Sequence, residues 1–198
     1  MGDAAWRLRL PSSLDGRALL QRLKGLPGVI DAVVCEEHAV VTFDPHARPD
    51  DRALHEVVER TASAAPPGPD AATLHLVRVR YDGEDLEEVS RRTRLPVAEV
   101  IATHSTPTYV VATIGFLPGF GYLRGLDPRL VVPRRDAPRL RVPALSVAMA
   151  GPYTGVYPFV SPGGWHLLGT AVDFSPFDVE RGAALALGDR VRFVPEQG

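Results

Sequence analysis

Residues 115–169 read GFLPGFGYLRGLDPRLVVPRRDAPRLRVPALSVAMAGPYTGVYPFVSPGGWHLLG, with nine glycines and eight prolines among them. Proline removes a backbone donor and fixes φ, whereas glycine admits positive φ. A long helix does not survive that density, so the stretch folds as short strands joined by tight turns. Aromatic residues flank the turns: Phe116, Phe120, Tyr122, Tyr153, Tyr157, Phe159 and Trp165. Arg134, Arg135, Arg139 and Arg141 punctuate its middle. Rigid turns, aromatic walls and a few cations describe a pocket for a small polar ligand. The same residues also fit a proline-rich barrel whose rings only fill its core.

The chain has 198 residues, 45% of them hydrophobic, which allows one or two domains with ordinary cores. A formal net charge of −2 argues against a general nucleic-acid binder, which carries a basic excess. Cys35 is the single cysteine, so no intramolecular disulfide forms and a reducing compartment fits. No apolar run approaches the roughly 20 residues of a membrane span. The N-terminus lacks a basic-then-apolar leader. These features together predict a cytoplasmic protein.

Residues 5–10 alternate as a half-buried strand does. Ser12 and Ser13 offer a helix N-cap, and Leu14, Ala18, Leu19, Leu23 and Leu26 recur at helical spacing. Strands follow at 29–35 and 38–43, then a helix from about residue 49 to 62. The order β-α-β-β-α predicts a small ferredoxin-like unit, which residues 73–79 are able to close. The segment SAAPPGPDAA (63–72) cannot build a core element, so it marks a boundary. Domains of 1–70 and 73–198 follow.

In the second part, residues 73–80 read as a strand, and Asp85 as the cap of a helix over 86–93. A second helix over 97–104 ends at His104, where the helix dipole favours a charged imidazole. The pair resembles a helix-turn-helix, but its second helix lacks a basic or amide row, so it packs beside a sheet instead. Residues 109–115 form a buried-looking strand, and ALALGDRVRFVP closes the chain with another. The histidines have no paired metal-ligand spacing. No phosphate-binding loop with its lysine appears, and no GxSxG elbow.

Three ordered blocks, GFLPGFGYLRGLDPRL, PRRDAPRLRVPALSVAMAG and TGVYPFVSPGGWHLLG, closely resemble the family of 5-oxoprolinase B subunits. HSTPTYVV (104–111), YDGEDLEEVS (81–90), VTFDP (41–45) and the opening Gly2-Asp3 extend the resemblance over nearly the whole chain. The family is also labelled allophanate hydrolase subunit 1 and includes a sporulation-kinase inhibitor. The resemblance implies an α+β fold: a small ferredoxin-like α/β domain followed by a cyclophilin-like closed β-barrel. It implies one component of an ATP-dependent hydrolase that opens 5-oxoproline to glutamate. That component is inactive without a C-type partner, itself cyclophilin-like, and an A-type protein often joins the pair. ATP, carrying Mg, is the implied co-substrate, with no protein-bound metal. A regulatory protein that inhibits a sensor histidine kinase stays open as the alternative.

By position, the resemblance gives catalytic roles to His104 and Arg139. It gives ligand contacts to Arg134 and Arg141, whose planar forks suit carboxylate or phosphate. Thr154, Tyr157 and Ser161 supply hydroxyls to a polar ligand, and Tyr153, just before Thr154, is placed with them among the substrate contacts. Phe116 and Trp165 are walls. Pro118 and Gly119 shape the loop that approaches the ligand.

Overall fold

The computed structural model describes residues 4–11, 14–47, 50–64 and 72–196. Residues 65–71 of the proline-rich segment, Gly2-Asp3, Ser12, Ser13 and Pro49 lie outside the described residues. The chain divides into two compact units, Met1–Ala72 and Thr73–Gly198.

The first unit contains strands β1 (Ala5–Arg9), β2 (Val29–Val34) and β3 (His38–Phe43) and helices α1 (Gly16–Lys24) and α2 (Asp51–Ala62). The strands form one antiparallel sheet in the order β1-β3-β2. The cap of α1 is Asp15, whose carboxylate accepts from the Arg17 and Ala18 amides at 3.0 and 3.2 Å. A carboxylate one residue before the helix satisfies two orphan donors at once, and so takes the place expected for serine. Asp50 does the same for α2, accepting from the Arg52 amide. Leu19, Leu23 and Leu54 on the helices and Val41 and Phe43 on β3 are fully buried.

The fourth strand of a ferredoxin-like sheet is not found among the described residues. The expected candidate, β4 (Leu74–Arg80), belongs to the second unit. There it pairs in parallel with β14 (Arg190–Pro195) over six positions, from Leu74↔Arg190 to Val79↔Pro195. In the barrel β4 is paired on both sides, with β14 and with β11 (His166–Ala171), so its backbone groups are satisfied along both edges.

The second unit continues through α3 (Leu86–Thr93), α4 (Val97–Ser105), β5 (Tyr109–Ile114) and β6 (Gly121–Arg124). Strands β7 (Arg139–Val142), β8 (Ser146–Ala150), β9 (Tyr153–Val156), β10 (Ser161–Gly163) and β11 (His166–Ala171) follow, then β12 (Phe177–Asp178) and β13 (Gly182–Ala183). Seven strands close into a barrel in the order β11-β4-β14-β5-β6-β9-β8. Closure removes the exposed edges that short strands would otherwise leave. Alternation sets the core: on β4, Val77 and Val79 are buried whereas Leu74 and Leu76 are exposed. Two ribbons stand outside the barrel, β7 with β10 and β12 with β13. The buried side chains fall into a large barrel core and a smaller aromatic cluster that includes Phe120, Tyr157 and Trp165.

Candidate functional site

The aromatic cluster opens into a cavity of about 190 Å³. Phe116, Phe120, Tyr122, Tyr157 and Trp165 line it, with Arg134, Pro138, Pro162, Gly163 and Gly164 at its rim. The rings meet edge to face. Phe120 lies 5.2 Å from Tyr157 and 5.3 Å from Trp165, and Tyr122 lies 5.6 Å from Trp165 between centroids. That arrangement sets positive ring edges against negative faces and fixes each ring by its neighbours. Phe116 is 58% exposed and stands edge-on to Phe120. Its φ of 72° is the left-handed region, costly for a side chain of this size.

Two glycines make the cup possible. A Cβ on Gly155 would fall 2.7 Å from the Gly121 carbonyl oxygen and 3.3 Å from the Phe120 ring. A Cβ on Gly163 would fall 2.4 Å from the Tyr157 hydroxyl. Burial pushes the Tyr157 phenol up to about 12, although the Arg134 charge pulls against it. Tyr157 therefore keeps its proton at neutral pH.

Behind the cup lies an ion cluster. Asp85 begins α3 but makes no capping bond. Its carboxylate is 4% exposed and takes three donors instead. Oδ1 accepts from Arg135 Nη1 at 2.7 Å and from Arg139 Nη2 at 2.8 Å. Oδ2 accepts from the Leu167 amide at 2.7 Å. Burial alone would raise its pKa, but the Arg139 bond, the Leu167 amide and the two guanidinium charges hold it below the usual carboxylate range. Asp85 holds the N-cap position of α3, but its side chain does not cap, because Oδ1 is taken by the two guanidinium groups and Oδ2 by the Leu167 amide. Arg139 also donates from Nε to Glu84 at 2.8 Å. It faces Gly163 across the β7–β10 ribbon, so the cluster pins the strand on which the Tyr157 ring rests.

His104 occupies a different place. Its side chain is fully buried, and desolvation lowers its pKa to about 3. The ring stacks on Phe193 with centroids 4.8 Å apart. Nε2 lies 2.8 Å from Thr154 Oγ1, and Nδ1 2.8 Å from the Tyr81 hydroxyl. Thr154 donates its own proton to the Ala148 carbonyl at 2.9 Å, so its oxygen accepts from Nε2–H. Nδ1 then accepts from Tyr81, which defines a neutral Nε2–H tautomer. The dipole that would favour a charged ring at the end of α4 is worth ~1 kcal/mol, less than the cost of charging a dry imidazole.

The structure thus brings Phe116, Arg134, Tyr157 and Trp165 together around one cavity. Arg139 stands behind it, tied to Asp85 and Glu84. His104 and Thr154 form a separate network inside the barrel. Tyr153 lies one layer out, edge-on to Tyr122 at 5.8 Å. Pro118 is exposed, and Gly119 is buried with a φ of 79°. A Cβ on Gly119 would strike the Pro176 carbonyl. Arg141 is exposed on β7, outside the cavity lining. Ser161 is buried on β10, and its Oγ has no partner among the described residues. Sequence reasoning missed Asp85 as a hub, because its partners lie 50, 54 and 82 residues away. No local spacing signals such a contact.

A closed β-barrel with a concave aromatic site, joined to a small α/β unit, defines the structural class. The chain belongs to the family described as the carboxyltransferase domain, subdomain C and D, whose model matches residues 2–187. It is similar to the 5-oxoprolinase B subunit of Escherichia coli O157:H7, 38% identical over 187 residues, 90% of this chain and 84% of that one. The solved structure of TTHA0988 matches with a TM-score of 0.83 and 38% identity. That match covers 98% of this chain but 40% of the other, so this chain spans less than half of that relative's length. The K. lactis urea amidolyase shares the fold, with a TM-score of 0.71 at 16% identity, over 98% of this chain and 14% of that one.

Proposed function

We propose that the chain is the B component of an ATP-dependent hydrolase complex of the 5-oxoprolinase type, and that its aromatic cup holds the cyclic amide. The observation that carries this reading is the convergence of Phe116, Tyr157, Trp165 and Arg134 on one small cavity. A flat five-membered lactam stacks against such rings. Arg134 is exposed and has no ion pair among the described residues, so its guanidinium is available to a carboxylate. A volume of about 190 Å³ lies below the range of drug-sized pockets and suits a ligand of few atoms.

Tyr157, protonated at neutral pH, acts as a hydrogen-bond donor rather than a base. Arg139 and Asp85 position the β7–β10 ribbon under it. His104, with both nitrogens engaged, holds Tyr81 and Thr154 in register within the barrel. A triphosphate needs several cations, and the cup offers one. We therefore place ATP and its Mg on a companion protein of the C type.

The test is reconstitution with that companion, 5-oxoproline and ATP. ADP release rises when 5-oxoproline is added; equal release with and without it rejects the assignment. Arg134→Ala raises the apparent KM for 5-oxoproline about 10–100-fold through loss of a charged hydrogen bond, with an unchanged melting temperature. A second reading, inhibition of a histidine kinase, draws on apolar surface: Phe116 is 58% and Leu140 91% exposed. Retention of a sensor kinase on the immobilised chain supports that reading, and its absence from the bound fraction counts against it.

A further inference from the structure

We infer that the free edge of β1 is a docking site for one extended strand of the C-type companion, and that this strand alternates apolar and acidic side chains. The inference rests on the reading of the chain as one component of a complex.

The backbone pattern defines the edge. The Leu10 amide donates to the Glu37 carbonyl at 2.8 Å, and the Phe43 amide to the Ala4 carbonyl at 2.9 Å. Even-numbered residues of β1 therefore bond to β3. Ala5, Arg7 and Arg9 turn their N–H and C=O groups to the opposite edge, and among the described residues no strand pairs there. In the split β-α-β-β-α-β arrangement a further strand closes the unit, and here the next strand in the chain is committed to the barrel.

Side chains define the occupant. Beside this edge lies a groove of about 400 Å³ with Trp6, Leu8, Leu54 and Val58 among its walls. It takes the apolar face of an added strand. Asp51 and Glu59 flank the groove on α2, so acidic side chains are disfavoured on that inner face. Arg7 and Arg9 alternate with Trp6 and Leu8 along β1 and are exposed at the margin of the groove; Arg7 Nη2 lies 3.1 Å from His38 Nε2 on β3, and Arg9 stands at the end of the strand pair. Opposite charges across a strand pair stabilise it, and like charges destabilise it. A second copy of the chain pairing through β1 would bring the arginines of both copies together. The added strand therefore carries Asp or Glu opposite Arg7 and Arg9, and comes from a different polypeptide.

Amide hydrogen exchange on the chain alone and in the reconstituted complex with its C-type companion tests this. The Ala5, Arg7 and Arg9 amides slow by about tenfold or more in the complex. Arg7→Pro removes a backbone donor on the open edge, together with the guanidinium bond to His38, and leaves the β1–β3 backbone ladder intact; it weakens assembly by about tenfold. The double variant Arg7→Glu, Arg9→Glu keeps every backbone donor and weakens assembly by a similar factor. A complex that forms while these amides exchange as in the chain alone overturns the docking site and leaves the reading as a complex component standing. Assembly unaffected by either variant does the same. Self-association with protection of the same amides makes the occupant a second copy and overturns the proposal. Failure to form any complex removes both readings.

Discussion

At neutral pH the His104 ring is uncharged, because burial lowers its pKa to about 3. An unfolded chain protonates the same histidine at about pH 6.5. Above that pH the group contributes nothing to pH dependence. As pH falls from about 6.5 toward 3, only the unfolded state binds the proton, so stability is lost at about 1.4 kcal/mol per pH unit. Urea unfolding between pH 7 and pH 5 shows that slope in the wild type and a shallower one in His104→Gln. Asp85 has the opposite origin but the same sign. Its pKa is depressed below that of a free carboxylate, so its stabilisation is present above the unfolded pKa and is lost on acidification through the folded one. Asp85→Asn leaves two guanidinium groups without their shared anion and costs about 3–5 kcal/mol, read from the urea midpoint at neutral pH. The residue types were legible in advance, and their jobs were not. His104 was visible as a helix-terminal histidine, but its partners Thr154 and Tyr81 come from strand β9 and from the residue just after β4, far apart in the chain.

Among elements, strands were read best where alternation is clean. The segments now seen as β4, β5 and β14 begin or end within a residue or so of their expected positions, because apolar residues hold their inward positions, Val77 and Val79, Tyr109 and Val111, and Val191 and Phe193. Helices α3 and α4 were legible from the Arg94-Leu95-Pro96 break between them. The β7–β10 and β12–β13 ribbons were not, since two- to four-residue strands show no period. Strand β9 brings a close backbone contact to the cup at Gly155. Gly155→Ala introduces a methyl against the Gly121 carbonyl and the Phe120 ring. Overpacking of this kind costs about 1–3 kcal/mol. Near-UV circular dichroism of Trp165 changes with it.

For the whole molecule, closure is the controlling fact. The barrel is sealed by the parallel pairing of β4, which opens the second unit, with β14, which ends it. Phe193 on β14 also stacks on His104 and packs edge-on against Tyr109. Truncation after Gly188 removes the strand between β4 and β5 and leaves two edges and an uncovered core. Such a chain loses its near-UV signal and its cooperative thermal transition, whereas far-UV helix signal from the first unit persists. Long-range pairing of this kind is expensive in loop entropy and is repaid only when the whole barrel forms.

Periodicity and turn residues by themselves determined the β-α-β-β-α order of the first part and the aromatic composition of the cup, and the ordered motif blocks carried the resemblance that implies the α+β class. Those signals act over a few residues, where steric limits on φ and side-chain alternation dominate. Only tertiary structure decided which strand β4 pairs with, that Asp85 gathers Arg135 and Arg139, and that His104 is a core residue. Each of these depends on competition between distant partners for the same backbone groups or charges, and that competition is resolved in space rather than along the chain.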